Sequence, residues 1–339
     1  MFKVFLSVVC FSYVYANSIG IIYDSQFQGE HSLAIRISEA ASKLKWNPKL
    51  IPISNLDQHS SDEMDFMISV NHHPGFKFNR PDYLFFFGFC PKHWLKKSAH
   101  NSNVNILFPS ILEHTGFLVV PFVENHNDFF VKKYIANGKK PFCEFYPSCL
   151  DLGYSKVVPS SIFYVPGIWG NRFGDSKFQK LNQLLDKSSF IKIYGSKKFQ
   201  NLFKKNYQYP IPRELGKFEE EIQNNGICLV IHSDKHLKVG APTSRIFEAL
   251  AACSVIISDR HPFVEKYFSD CVYFIDTSLS ADKIYKQIEA HYMYIMRHQE
   301  EALEKAQKGY EIFKEKFTLE KQLLNLDLFH LENLKQFGS

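Results

Sequence analysis

The residues best suited to chemistry follow a continuously apolar run, Ile227–Ile231, which predicts a strand buried on both faces. His232 stands at the end of this strand, and a polar loop follows it. A helix that begins near Ser244 would leave its first backbone N–H groups free to bind a ligand, and those groups together with the helix dipole favour a phosphate. The segment therefore predicts an anion site. Its residues are His232, Lys238, Gly240, Pro242, Thr243 and Ser244.

Two charged residues share one face of that predicted helix. On a helical wheel, Arg245 and Glu248 lie on the same side, and the opposite side is apolar. The guanidinium of Arg245 has the fork of donors that clamps a diphosphate. A carboxylate such as Glu248 accepts hydrogen bonds from a pair of sugar hydroxyls. A surface ion pair worth about 0.2–0.5 kcal/mol explains the same spacing, so both interpretations stay open from the residues alone.

Two positions in the N-terminal half also follow predicted strands. Gly29 comes after the first apolar run, where a glycine permits a close approach of a ligand to the backbone. His73 lies in the segment Asn71–Gly75, after another predicted strand. A histidine there could accept the proton of an attacking hydroxyl. The alternative is a histidine that is satisfied within its own loop.

A longer block, Gly226–Asp276, resembles the donor domain of group-1-type glycosyltransferases, in particular bacterial proteins linked to surface polysaccharide assembly. The stretches that carry the resemblance are His232-Ser233, Gly240–Ala249 and Val255–Phe263. The resemblance implies the GT-B architecture, in which two Rossmann-like domains face each other across a cleft. It also implies transfer of a sugar from a nucleotide-sugar donor to a glycan, lipid or protein hydroxyl.

The resemblance implies roles for individual residues as well. Glu248 takes the position of the carboxylate that binds the nucleotide ribose, and Gly29 takes that of a glycine near the donor phosphates. Arg245 would act on the diphosphate as a catalytic group. No metal or other cofactor is expected, because helix dipoles and basic side chains stabilise the leaving diphosphate. Retaining members often have a second glutamate eight positions before the first, where this chain has Gly240. The stereochemical outcome and the integrity of the site therefore stay open.

The elements that must position these residues form two successive α/β halves. In both, short apolar runs that predict strands alternate with segments of helical periodicity. The predicted strands are Ile19–Tyr23, Lys49–Ile53, Asp65–Val70, Tyr83–Gly88, Val104–Phe108, Gly116–Val120, Ser161–Val165, Phe190–Tyr194, Ile227–Ile231, Ser254–Ser258 and Cys271–Ile275. The predicted helices are Ser32–Trp46, Asn125–Asn137, Ser176–Leu185, Lys197–Lys205 and several after Ala281.

This alternation predicts an α/β fold with two Rossmann-like domains. We expect residues 17–159 to form an acceptor-binding domain and residues 160–320 to form the nucleotide-sugar-binding domain. Residues 321–339 are expected to form a C-terminal helix that braces the first domain.

Composition narrows the classes of partner. The chain has 339 residues and a formal charge of +5, and its lysine pairs are spread along the sequence. This distribution does not favour nucleic acid, whereas contact with an anionic membrane surface stays open. Residues 1–16 are predicted to be a signal peptide or an uncleaved anchor, which indicates a secretory or membrane-associated protein; otherwise the protein is expected in the cytoplasm.

Other sites are not supported by the sequence. His232 and His236 are four residues apart, but no HExxH motif or paired CxxC accompanies them, so no metal site is predicted. Cys143 and Cys149 are expected to form a disulfide or remain as buried thiols. Two other functions stay open: an exported two-lobed solute-binding protein, and a catalytically degenerate scaffold related to glycosyltransferases.

Overall fold

In the computed structural model, the described residues form two parallel β-sheets with helices packed around them. The structure describes residues 17–58, 62–71, 78–86, 113–120, 140–167, 175–211 and 214–337. The two sheets follow one another along the chain, so the predicted α/β fold with two Rossmann-like halves is confirmed.

The first sheet has six parallel strands in the order β2-β1-β3-β4-β5-β6. Because β1 lies between β2 and β3, the chain reverses its direction of progress across the sheet at the β1–β3 boundary, where such folds bind ligands at the carboxyl ends of the strands. The strands are β1 (Ser18–Tyr23), β2 (Asn47–Pro52), β3 (Phe66–Ser69), β4 (Asp82–Phe86), β5 (Gly116–Val119) and β6 (Phe142–Glu144).

The second sheet has five parallel strands in the order β8-β7-β9-β10-β11, with the corresponding reversal between β7 and β9. The central strands β9 and β10 are buried along their whole length. The strands are β7 (Ser161–Tyr164), β8 (Ile191–Ile193), β9 (Gly226–Val230), β10 (Val255–Asp259) and β11 (Val272–Ile275).

Nine α-helices are described, and one precedes the crossover between the sheets. They are α1 (Gln28–Lys43), α2 (Ser176–Lys187), α3 (Lys217–Asn225), α4 (Asp234–Val239), α5 (Ser244–Ala251), α6 (Pro262–Phe268), α7 (Ala281–Arg297), α8 (Gln299–Lys316) and α9 (Leu319–Phe337). Short 3-10 helices cover Ile53–Gln58 and Lys197–Asn201.

One apolar cluster continues from the first sheet into the second. The link is the segment after β6, where Tyr146 packs against Phe247 of α5 and Phe263 of α6, with ring centroids 5.6 and 5.1 Å apart. The backbone N–H of Leu319 donates to the carbonyl of Cys149 at 2.9 Å. The two halves therefore share a packed joint at this crossover.

Helix α9 returns to the first sheet and packs on α1 and β6. His330 of α9 hydrogen-bonds the hydroxyl of Tyr83 in β4 at 2.9 Å and packs against the ring of Phe66 in β3. These contacts are those of a helix that braces the first half of the chain.

Several predicted elements differ from the structure. Helix α1 begins at Gln28, four residues before the predicted start, so Gly29 lies in its first turn and not in a loop. The helix predicted over residues 197–205 is a 3-10 helix of five residues, Lys197–Asn201, and Leu202 just after it is 56% exposed. Helices α3 and α4 were missed. The predicted elements Val104–Phe108 and Asn125–Asn137 lie outside the described residues.

The structure bears on two further expectations, the membrane association of the chain and the state of Cys143 and Cys149. Residues 1–16 lie outside the described residues. Within the part of the chain that is described, no helix combines the length and the apolar character needed to cross a bilayer. Cys143 and Cys149 are free, buried thiols, so of the two expectations for this pair the structure has the buried thiols.

The end of α1 allows a test of local strain. Lys45 follows the helix with a φ of 62°, and the N–H of Trp46 donates to the carbonyl of Ala41, which is a Schellman motif. Glycine adopts this left-handed conformation without a steric penalty, so Lys45→Gly is expected to raise the free energy of unfolding by about 1 kcal/mol in urea denaturation. Lys45→Ala, which keeps the strain, is the control and should differ little from wild type. Equal stability of the two variants would contradict this account.

Candidate functional site

The candidate site is built on the loop that follows β9. We call residues 238–244 the donor segment: the end of α4, a loop and the first residue of α5. Gly240 ends α4 with a φ of 72°, a conformation that side chains other than glycine adopt at a cost of about 1 kcal/mol or more. This backbone conformation is a physical reason why the position holds no glutamate.

Helix α5 begins at Ser244, as the sequence predicts. Thr243 is its N-cap residue, and the Thr243 side chain makes no capping hydrogen bond. Thr243 and Ser244 are half-buried, Pro242 is buried, and Lys238 is exposed at the end of α4. The first turn of α5 is therefore not capped by its own N-cap side chain, and its partial positive charge favours an anion.

Arg245 and Glu248 form an ion pair in which Glu248 is buried and Arg245 is half-buried, so it is not the surface pair that the spacing also permitted. The Arg245 Nη1 atom lies 2.5 Å from Glu248 Oε2, and Glu248 is 6% exposed. The guanidinium also stacks on Phe218 of α3, with its central carbon 3.9 Å from the ring centroid. Arg245 therefore fixes the carboxylate in this structure, and its contact with a diphosphate stays a prediction.

The other oxygen of the same carboxylate pairs with the first half of the chain. Arg36 Nη1, on α1, lies 3.3 Å from Glu248 Oε1, and Arg36 is 9% exposed. The same nitrogen donates to Cys149 Sγ at 3.0 Å. Each Glu248 oxygen thus meets a different arginine, and because a carboxylate oxygen has two lone pairs, capacity to accept further hydrogen bonds remains.

A second carboxylate, Glu219 of α3, is buried beside this pair. Burial and the nearby charge of Glu248 raise the pKa of Glu219. Burial alone would also raise the pKa of Glu248, but the charges of Arg245 and Arg36 outweigh it and hold that pKa below its usual range. The two pKa shifts therefore have opposite directions, and Glu248 is the stronger acid of the two.

Three buried side chains lie at the carboxyl ends of β9 and β10. His232 Nδ1 is 2.6 Å from Asp259 Oδ1, and the His232 backbone N–H donates to the other Asp259 oxygen at 3.0 Å. The ring of His261 stacks on that of His232 with centroids 4.1 Å apart. His232, Asp259 and His261 are each 0% exposed. His232, predicted to contact the donor, is fully buried in this structure, and its part in donor binding stays a prediction.

Of the two site residues predicted in the N-terminal half, Gly29 and His73, the structure describes only Gly29. Gly29 is exposed in the first turn of α1, and a β-carbon added there would meet no atom within 4 Å, so the glycine is not required by crowding. His73 lies outside the described residues. Asn71, just before it, accepts a hydrogen bond from the backbone N–H of Asp24 at 2.9 Å, which brings the ends of β1 and β3 together.

Four residues of the site were missed by the sequence analysis. Arg36 lies on the same helix face as the buried residues Leu33 and Ala40. A positively charged residue on an otherwise apolar helix face could have indicated a buried ion pair. Asp259 and His261 follow a buried strand, as His232 does, and the same rule would have found them. Glu219 lies in a helix that was not predicted. Among the described residues, no three His, Cys, Asp or Glu side chains are grouped to hold a metal ion.

Comparison with protein families gives one match, to the family described as glycosyl transferase-like, over residues 174–326. This region contains the second sheet from α2 onward and the donor segment. The match covers less than half of the chain; it makes this region similar to glycosyl transferases and favours a transferase over the solute-binding protein that the sequence left open. No curated protein matches the sequence of the chain.

Solved structures with the same fold cover nearly the whole chain. An alpha-glucosyltransferase solved with UDP and DNA has a TM-score of 0.60 at 10% identity, covering 94% of this chain and 100% of its own. HepE from Anabaena, solved with UDP and glucose, has a TM-score of 0.56 at 8% identity, covering 92% and 99%. Sucrose-phosphate synthase from Thermosynechococcus elongatus has a TM-score of 0.55 at 11% identity, covering 95% and 100%. At these identities the likeness shows the shared fold, that of GT-B glycosyltransferases.

Proposed function

We propose that this chain, a glycosyltransferase of the group-1 type with the GT-B fold, binds a nucleotide sugar at the donor segment and Glu248 and passes the sugar to a hydroxyl acceptor. Residues 160–320 would hold the donor, and residues 17–159 would hold the acceptor, a glycan or glycolipid. The observation that carries this proposal is the position of Glu248, a carboxylate with a lowered pKa in a helix whose first turn has no side-chain cap, within the region that matches the glycosyl transferase-like family.

The residues divide the recognition of the donor between them. The first turn of α5 would bind the diphosphate through backbone N–H groups, with Lys238 as a nearby cation. Glu248 would accept hydrogen bonds from the ribose hydroxyls, and Arg245 and Arg36 would hold it ionised for that task. Catalysis would then come from orientation of donor and acceptor and from stabilisation of the departing diphosphate.

The acceptor side rests on fewer residues. His73 is proposed to accept the proton of the attacking hydroxyl if the reaction inverts configuration. Gly29, in the exposed first turn of α1, is proposed to lie near the donor phosphates. We propose that no metal takes part, so both binding and turnover should persist in excess EDTA.

Calorimetry with the full chain and a panel of UDP, GDP and their sugars tests the donor site. One nucleoside diphosphate is expected to bind with a Kd between about 1 μM and 1 mM, the usual range for enzyme substrates. The matching nucleotide sugar should be consumed when an acceptor is supplied. Failure of the folded protein to bind any nucleotide would contradict the proposal, and binding without turnover would favour the degenerate scaffold.

A further inference from the structure

We propose that His261 is a positioning residue, which holds the donor segment in the shape that receives the donor diphosphate. This inference rests on the proposed function, because it assigns a support to the same site. His261 itself lies behind the loop, where it connects α4, the donor segment and α6.

The imidazole of His261 makes a hydrogen bond from each ring nitrogen. Nδ1 accepts from the backbone N–H of Phe263 at 3.1 Å and so caps α6. Nε2 lies 3.1 Å from the carbonyl oxygen of Ala241 and 3.3 Å from that of His236. A backbone N–H only donates and a carbonyl only accepts, so the proton must sit on Nε2. One neutral tautomer satisfies all three contacts.

The surroundings of His261 keep it in that neutral form. Burial, and then the neighbouring His232, lower the pKa of His261 to about 2. The ring is 0% exposed. His261 is therefore neutral at neutral pH and donates a hydrogen bond to the carbonyl of Ala241, in the middle of the donor segment.

The ring of His261 is supported from behind. It stacks on His232, whose Nδ1 and backbone N–H are both held by the carboxylate of Asp259. The chain of contacts therefore runs from Asp259 through His232 and His261 to the carbonyl of Ala241. This chain of contacts begins at the ends of β9 and β10 and ends at Ala241. It therefore holds the donor segment in a fixed position relative to the second sheet.

His232 supplies a second, independent observation. Its Nε2 atom is fully buried and has no hydrogen-bond partner among the described residues. Native proteins keep few such groups, and those that remain call for an explanation such as a functional role. The unsatisfied nitrogen therefore indicates that the cluster of Asp259, His232 and His261 has a role besides core packing, which we assign to support of the donor segment.

The two functions of His261 can be separated by two substitutions. The Oδ1 atom of asparagine takes the approximate position of Nδ1, so His261→Asn keeps the cap of α6 and loses the contact with Ala241. The amide nitrogen of glutamine reaches the approximate position of Nε2, so His261→Gln keeps the contact with Ala241 and weakens the cap.

The inference is tested by measuring the binding of UDP and UMP to the full-length wild type and to both variants. If another nucleoside diphosphate in the panel binds more tightly than UDP, that diphosphate and its monophosphate are used instead. His261→Asn is expected to weaken binding of the diphosphate by about 3- to 10-fold, as for one lost hydrogen bond, and to change binding of the monophosphate much less. His261→Gln should bind the diphosphate within about twofold of wild type, although its melting temperature is the lower of the two variants.

A purely structural role predicts a different order. In that case the loss of affinity would follow the loss of thermal stability, and His261→Gln would be the weaker binder. That order, or wild-type affinity of His261→Asn for the diphosphate, would overturn the inference. Failure of the wild type to bind any nucleotide would instead overturn the proposed function, so the two failures are distinct.

Discussion

Glu248→Gln is expected to weaken binding of the nucleoside diphosphate by at least about tenfold in calorimetry. The substitution keeps the shape of the side chain but removes the charge, and hydrogen bonds to a charged group contribute about 1.5–3 kcal/mol. It also turns an amide nitrogen, which can only donate, toward either Arg36 or Arg245, neither of which can accept. The substitution should therefore weaken the contact with the ribose and disturb the arrangement of Arg36 and Arg245 around this side chain.

Glu219→Gln is the matched control for this experiment. Glu219 is buried in the same cluster on α3, but its pKa is raised, and no contact with the donor is proposed for it. Its substitution should leave the affinity for the diphosphate within about twofold, since it adds no unpaired charge beside the ribose position. Equal affinities of wild type and Glu248→Gln, with both proteins folded by circular dichroism, would remove the carboxylate from the donor site.

Arg36→Met is expected to lower the free energy of unfolding by about 3 kcal/mol in urea denaturation. Removal of one partner from a buried ion pair leaves the other charge uncompensated, at a typical cost of about 3–5 kcal/mol, and Arg245 still compensates part of it here. Arg260→Met is the control, because Arg260 forms an exposed pair with Glu265 and should contribute less than about 1 kcal/mol. Similar losses in the two variants would show that the pair with Arg36 is not buried in solution.

The role of Arg36 can also be tested by measuring how the free energy of unfolding depends on pH. The pKa of Glu248 is below its usual range in the folded protein, so Glu248 stabilises the fold at neutral pH, and that stabilisation is lost as the pH falls through the folded pKa. Arg36→Met removes one of the two charges that lower this pKa. The loss of stability between the unfolded and the folded pKa of Glu248 should therefore be smaller in the variant than in wild type, because the two pKa values lie closer together. An acid loss of equal size in both proteins would contradict the assignment.

Most strands of the two sheets could be predicted from the sequence because they are short apolar runs between polar loops, whereas β6, with one buried side chain in three residues, was missed. Ile227–Ile231 differs from the structural strand by one residue at each end, and the start of α5 at Ser244 is correct. The burial of β9 and β10 on both faces leaves the chain little freedom there, so local pattern and tertiary structure agree.

The candidate site was less predictable because its contacts come from distant parts of the chain. The helical wheel placed Arg245 and Glu248 on one face of α5, but it could not show that Phe218 of α3 and Arg36 of α1 contact that face. No periodicity within α5 could report an arginine more than two hundred residues earlier in the sequence. For His261, one residue supports a loop twenty positions before it, and only the fold brings them together.

The return of α9 to the first sheet has a consequence for synthesis on the ribosome. The strands from β1 to β6 emerge first, but Tyr83 and Phe66 find their partner His330 only after the whole second sheet has been translated. At about 5–20 residues per second, that interval lasts roughly ten seconds or longer. During it, the nascent first half exposes the apolar surface that α9 will cover, and such transiently exposed surface is prone to aggregation.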